Sequence, residues 1–316
     1  MFRYLNSRRA MLFPMLPSKQ CLRTPGTTGI TAENSSKDFD SGEWNTTLSS
    51  VCRKGIDTMT DQTAKARRFK ELHVPGNPLI LFNAWDAGST KAVEKAGARA
   101  IATGSWSVAA ANGYGDGEKV PLDLAMENLA RIVAATDLPV SVDLESGYGD
   151  APEAVGQTVR RAVEAGAIGC NLEDSFPADG SLRDAEAQVA RIRAARQAAG
   201  GLPFFINART DVFFQKPAPE HDDAMLEDAV RRAGLYASAG ADGIFVPGLI
   251  DPELLARLVK ATSLPINIMI SGSTPSFEVL ADAGAARLSH GPGPYVTAMK
   301  AVEDAARTVF AWTPRK

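Results

Sequence analysis

The sequence predicts an α/β protein, a (β/α)8 barrel of the TIM type. Three observations carry this. From about residue 79, short β-branched runs alternate with Ala-rich amphipathic stretches. Several of those stretches end in the same Ala-Gly-Ala punctuation. Eight strand-plus-helix units fit into about 230 residues, the size of one such barrel. An open doubly wound sheet shares the alternation, but no Gly-x-Gly-x-x-Gly follows the first strand to open a dinucleotide site.

The strand at Leu79 to Phe82 opens the series and leads to a helix at about 87 to 97. That helix ends in Ala96-Gly97-Ala98 and runs into the strand Arg99 to Thr103. A helix at 122 to 135 precedes the strand Pro139 to Asp143. The next, at 152 to 165, ends in Ala165-Gly166-Ala167 and feeds Ile168 to Glu173. A helix at 182 to 199 precedes Phe204 to Ala208, and one at 223 to 239 ends in Ala239-Gly240-Ala241 before Gly243 to Val246. Helices at 251 to 261 and 274 to 283 precede Pro265 to Met269 and Ala286 to Ser289, the second through Ala283-Gly284-Ala285. A last helix covers 295 to 310. Glycine just past a helix tolerates the left-handed conformation that closes its final turn.

Residues 1–58 differ in texture, being rich in Ser, Thr, Asn and Arg without a repeating apolar pattern. They read as an extension that does not pack as a domain, or as sequence ahead of a start at Met59. Their first 32 residues carry Arg3, Arg8, Arg9, Lys19 and Arg23 but no acid, which also resembles an organellar presequence. The barrel domain is assigned to 59–316. A cytoplasmic location is expected, or a mitochondrial one if residues 1–58 are a presequence.

Composition narrows the partners. A net charge of -3 gives no general attraction to nucleic acid or anionic lipid, so neither is expected as a partner. No apolar run approaches the roughly 20 residues that span a bilayer. Three cysteines are too few for a disulfide framework, and no two of the three histidines stand at a helical zinc spacing. A small molecule remains the expected partner.

Chemistry concentrates at three strand ends. Val142-Asp143-Leu144-Glu145 and Asn171-Leu172-Glu173-Asp174 place carboxylates where an apolar strand gives way to a loop. Such groups are costly unless hydrogen-bonded or bound to a cation. If each strand continues to its end, alternation puts Asp143 with Glu145, Asn171 with Glu173, and Asn207 with Arg209 on inward faces at the C-terminal rim. Three carboxylates on two adjacent strands suit Mg²⁺, and Arg209 supplies a planar fork for an anionic substrate. An acid-arginine network that only satisfies buried charge is the competing reading.

After the second strand, the small residues and exposed amides of the segment containing Ser105, Trp106 and Ser107 could bind an anion. Asp116, in a Gly-flanked loop, could act on a carbonyl or a water, although such a residue also serves as a plain turn former. Ser175 to Ser181 is long enough to fold over the pocket as a lid.

Together these residues resemble the isocitrate lyase and phosphoenolpyruvate mutase superfamily. The resemblance rests on Asp-x-Glu-x-Gly-Tyr-Gly from Asp143, Leu-Glu-Asp from Leu172, Ala-Arg-Thr-Asp from Ala208, and Asp116-Gly117, and it spans about Asn77 to Ala305. It implies a barrel whose last helix is exchanged between subunits, usually in a tetramer built from two dimers. It also implies Mg²⁺ and small 2-oxo acids or their precursors, reacting through an enolate. By the same resemblance, Asp143, Glu145 and Glu173 are metal-shell carboxylates, directly or through water, and Asp116 lies near the reacting atoms. Arg209 anchors the substrate anion, Ser105 to Ser107 hold a carboxylate or enolate oxygen, and Asn267 is a polar substrate contact.

The lid departs from the pattern. It lacks the Lys-x-Cys-Gly-His of the isocitrate and methylisocitrate lyases, and Cys170 cannot replace that cysteine because alternation turns it away from Glu173. Phe176-Pro177 matches the mutase-type lid, but Asp179 and Gly180 stand where those enzymes keep Asn or Thr, and an acid there would repel a phosphonate. Phe245-Val246-Pro247-Gly248 replaces the glutamate that several lyases carry after the sixth strand, and His290 is a candidate local acid or a structural rim residue. The leading expectation is a Mg²⁺-dependent enzyme breaking a C–C bond of a small 2-oxo or 2-hydroxy (di)carboxylate, as lyase or decarboxylase. The alternatives are a P–C bond mutase or hydrolase and a non-catalytic barrel that binds an oxo acid.

Overall fold

The structure is a computed structural model that describes residues 61–312. The readings of residues 1–58 lie outside the described residues. Helix α1, described over 61–71, comes first. Eight parallel strands follow: β1 (Leu79–Leu81), β2 (Ile101–Ala102), β3 (Val140–Asp143), β4 (Gly169–Glu173), β5 (Phe205–Arg209), β6 (Gly243–Phe245), β7 (Ile266–Met269) and β8 (Arg287–Ser289). They pair in the order β1-β8-β7-β6-β5-β4-β3-β2, and a parallel bridge between Ala84 and Thr103 joins the two ends. The sheet therefore closes into the expected barrel.

Between the strands lie α2 (Ala87–Lys95), α3 (Ser105–Ala111), α4 (Leu122–Val133), α5 (Pro152–Glu164), α6 (Ala185–Ala198), α7 (Asp223–Ala239), α8 (Pro252–Ala261) and α9 (Phe277–Asp282), with α10 (Gly293–Phe310) last. Several starts are written in the sequence as caps. Asp184, Asp222 and Asp251 each accept first-turn amides, and Pro252 follows Asp251 at the first helical position, where its missing N–H costs nothing. Glycines 97, 166, 240 and 284 all have φ between +96° and +105°, the conformation expected of them. At Gly166 a Cβ would also meet Val133 Cγ1 at 2.7 Å, so both backbone and packing require glycine there.

Helix stripes such as Met126, Leu129 and Ile132 on α4 face the outside of the barrel and are buried, each fully buried side chain contributing about 1.5–3 kcal/mol. A second cluster fills the N-terminal mouth, where Ala66 and Phe69 of α1 and Leu72 just after it pack on Leu79, Leu81 and Phe205. Nothing in the sequence reading anticipated this plug. Toward the other end the interior turns polar, with Asn171, Asn207, Asn267, Arg287 and Ser289 all buried. Among the described residues no helix is long and apolar enough to cross a membrane.

Two outer features stand apart. On α10 only Pro294 is buried, and Val296, Val302, Val309 and Phe310 are exposed. On β1 the outward side chain of Ile80, and Phe82 just beyond the strand, are exposed above an apolar groove of about 520 Å³ shared with α2.

Candidate active site

The register of the barrel assembles the site. Asp143 pairs with Asn171, Asn171 with Asn207, and Glu173 with Arg209. Arg209 Nη1 lies 2.7 Å from Glu173 Oε2, while Nε and Nη2 grip Asp211 at 2.7 and 3.0 Å. The aromatic rings of Phe214 and Phe245 each lie 5.7 Å from the guanidinium carbon. Burial opposes the arginine's charge, but Glu173 and Asp211 outweigh it and hold the guanidinium above its ordinary range. Burial likewise pushes Glu173 up while Arg209 draws it back, and the ion pair is the form the geometry records.

Asp143 closes β3. Its Oδ2 accepts from the amide and hydroxyl of Ser105 at 3.1 and 2.8 Å, whereas its Oδ1 is buried with no partner. A cavity of about 180 Å³ opens beside it, lined by Asp116, Asp143, Arg209, Ser105, Trp106 and Phe214 among others. Asp116 is raised by burial and then by the Asp143 charge.

Three expectations are corrected. The strand does not continue through Glu145, which has φ +52° beyond the end of β3; its carboxylate accepts from the Glu118 amide at 2.6 Å and lines a smaller recess with Asp143 and Tyr148. Burial pushes Glu145 up to about 7, the Glu118 amide opposing and the charges of Asp143, Asp116 and Glu118 adding. The Ser105 to Ser107 segment, expected to bind the substrate with all three residues, is the first turn of α3, so its side chains fan out; Ser107 is fully buried and does not line the cavity. Asn267 is also buried off the cavity wall, its Oδ1 accepting from Ser289 Oγ at 3.1 Å.

The lid is a short hairpin, bridged between Ser175 and Leu182. The Asp179 carboxylate is fully exposed and accepts from the Ser181 amide and hydroxyl, so it shapes the lid's own turn. His290 sits against Phe82 and Phe277, off the cavity wall, and Cys170 is buried with its thiol pushed up to about 12. The sequence reading quoted Asp211 and Asp174 in their motifs but gave neither a role: Asp211 is the bidentate partner of Arg209, and Asp174 Oδ2 meets Tyr236 and Arg232 of α7 at 2.7 and 3.0 Å. Their acidic position beside the picked residues was the available signal. It also missed Glu118, which no spacing rule marks.

Among the described residues no three His, Cys, Asp or Glu side chains converge as a ready cage, because Asp143, Glu145 and Glu173 are each held by a separate donor. The set nevertheless fits a hard divalent cation. Asp143 Oδ1 lacks a partner, and Asp116, Asp143 and Glu145 crowd one another with like charge. Mg²⁺ commonly takes one or two carboxylates and keeps several waters, which this spacing admits.

Barrel and rim together define a class, the (β/α)8 proteins with an acid-lined, arginine-bearing cavity at the C-terminal ends of the strands. Residues 69–310 match the family model for phosphoenolpyruvate phosphomutase, and this chain belongs to that family. It is 55% identical to a candidate phosphonomutase of known structure from Burkholderia cenocepacia J2315, covering 78% of this chain and 99% of that one with a TM-score of 0.76. It is 39% identical to the petal death protein of Dianthus caryophyllus over 71% of each chain. It is 32% identical to the 2-methylisocitrate lyase of Escherichia coli strain K12, over 65% of this chain and 74% of that one.

Proposed function

We propose that this chain is a Mg²⁺-dependent lyase that breaks a C–C bond of a small 2-oxo or 2-hydroxy acid through an enolate. One observation carries the reading: Arg209, the one basic side chain among the described residues lining the cavity, is already shared by Glu173 and Asp211 and faces Asp116 and Asp143. That balance suits a carboxylate that arrives with a divalent cation and is poor for a phosphonate dianion.

Asp143 would hold Mg²⁺ directly, with Glu145 and Glu173 acting through water. When bound, the ion supplies Lewis-acid stabilisation of charge developing on the oxo-acid oxygens. Arg209 orients the substrate anion, its plane fixed by Asp211. Ser105 fixes Asp143, and Asp116, which lines the cavity and has its pKa raised, would exchange a proton with the reacting carbon or oxygen. Trp106, 41% exposed, forms the mouth. The Ser175 to Leu182 hairpin, none of whose residues lines the cavity, would exclude water by closing over it.

The exposed face of α10 and the open β1 groove support a homo-oligomer in which the last helix of one subunit covers β1 of another. Phe82→Asp is then expected to reduce the mass measured by light scattering. Similarity to the candidate phosphonomutase favours a second reading, P–C chemistry at the same site.

The test is a panel of 2-oxo and 2-hydroxy mono- and dicarboxylates incubated with the full chain and Mg²⁺. Release of a 2-oxo acid or CO₂, abolished by EDTA and by Glu173→Gln, is expected; turnover that survives EDTA refutes it. Phosphorus NMR of phosphonopyruvate separates the P–C reading.

A further inference from the structure

Glu118 lies two residues beyond Asp116, with φ +58°, a conformation that side chains other than glycine rarely adopt. Its Oε1 accepts from Ser146 Oγ at 2.8 Å and from the Tyr148 amide at 2.7 Å. In return the Glu118 amide donates to Glu145 Oε2 at 2.6 Å. The loop that carries Asp116 is thus clasped, in both directions, to the turn that follows Asp143.

That turn is built to receive the carboxylate. Glu145 and Tyr148 both have positive φ, at +52° and +57°. From behind, Arg191 of α6, 1% exposed, donates to the carbonyls of Ser146, Gly149 and Asp150. The receptor is therefore fixed by a helix, and the Asp116 loop is the part that would move if the clasp opened. On its other side, Gly117 lies against the lid, where an added Cβ would come within 3.2 Å of the Pro177 carbonyl.

We propose that Glu118 is a positioning residue that sets Asp116 at the cavity. It holds the loop as a hydrogen-bond acceptor, because both groups its carboxylate receives directly are neutral donors. An amide oxygen in the same place accepts the same two bonds, and a methyl group accepts neither. This rests on the reading of Asp116 as a group that acts on the substrate.

Hydrogen exchange on the full chain tests the clasp without a substrate. In Glu118→Ala, amides 115–119 and that of Tyr148 are expected to exchange at least about tenfold faster than in the wild type, and in Glu118→Gln within about twofold of it. On whichever panel substrate the wild type turns over, Glu118→Ala is expected to lower kcat at least about tenfold with KM within about threefold, and Glu118→Gln to restore kcat. Unchanged exchange in Glu118→Ala, or a defect in Glu118→Gln as deep as in Glu118→Ala, overturns the proposal. A wild type without turnover refutes the lyase reading, and the clasp is then judged on exchange.

Discussion

Replacing Arg209 by methionine isolates the electrostatic logic of the rim. In the native site the guanidinium makes contacts of 2.7, 2.7 and 3.0 Å to Glu173 and Asp211, whose side chains are 13% and 7% exposed. Arg209→Met keeps much of the volume and leaves two neighbouring carboxylates buried without a cation. Removing one partner of a buried pair costs about 3–5 kcal/mol, and at about 2–4 °C per kcal/mol for a domain of this size the melting temperature falls by about 6–20 °C. The sign of the pH response follows. Without Arg209, burial and the Asp211 charge raise Glu173 in the folded state far above its unfolded value. Folding then takes up a proton, so stability is gained as pH falls through the folded pKa and lost as it rises. The deficit against wild type, measured by calorimetry, should therefore shrink between pH 8 and pH 6, and Arg209→Met with Glu173→Gln should recover part of it at pH 8. A single variant melting within about 2 °C of wild type at pH 8 refutes the reasoning.

His73, stacked on Phe205 with ring centroids 4.2 Å apart, is held neutral to about pH 3 by burial and then by the charge of Arg287. The unfolded chain protonates it near 6.5, so stability falls as pH drops from 6.5 toward 3, by about 1.4 kcal/mol per unit well inside that window. Denaturant melts of wild type and His73→Phe between pH 7 and pH 4 should differ by this slope, and parallel curves contradict it. Ser105→Ala removes the 2.8 Å hydroxyl bond to Asp143 and should raise the Mg²⁺ concentration for half-maximal activity about 10- to 100-fold; an unchanged value denies Asp143 the role of ligand. Gly166→Ala sets a methyl against Val133 at φ +96° and should cost about 1–3 kcal/mol in urea unfolding, with wild-type stability as the contrary result.

Strand and helix periodicity made the barrel legible, since alternation and Gly97, Gly166, Gly240 and Gly284 mark where each helix yields to the next strand. The same alternation brought Glu173 opposite Arg209. It failed at Glu145, where a positive φ breaks the period, and it said nothing of Ser107, which helical spacing turns into the interior. Glu118 was invisible for a different reason: its partners are a hydroxyl and an amide contributed by another loop, and no local pattern encodes them. The α1 plug escaped because a single short helix has no repeat to belong to.

Leu172, Glu173 and Asp174 stand consecutively at the end of β4 and answer to three unrelated constraints. Leu172 fills the layer between barrel and helices, Glu173 pairs with Arg209 behind the cavity wall, and Asp174 is tied to α7 through Tyr236 and Arg232. A gene copy drifting toward a new substrate is free to explore only the middle letter, because the outer two belong to the scaffold. A match to the whole triplet therefore speaks mostly of common architecture, and shared chemistry has to be read from the one position whose charge is paired with the arginine of the cavity.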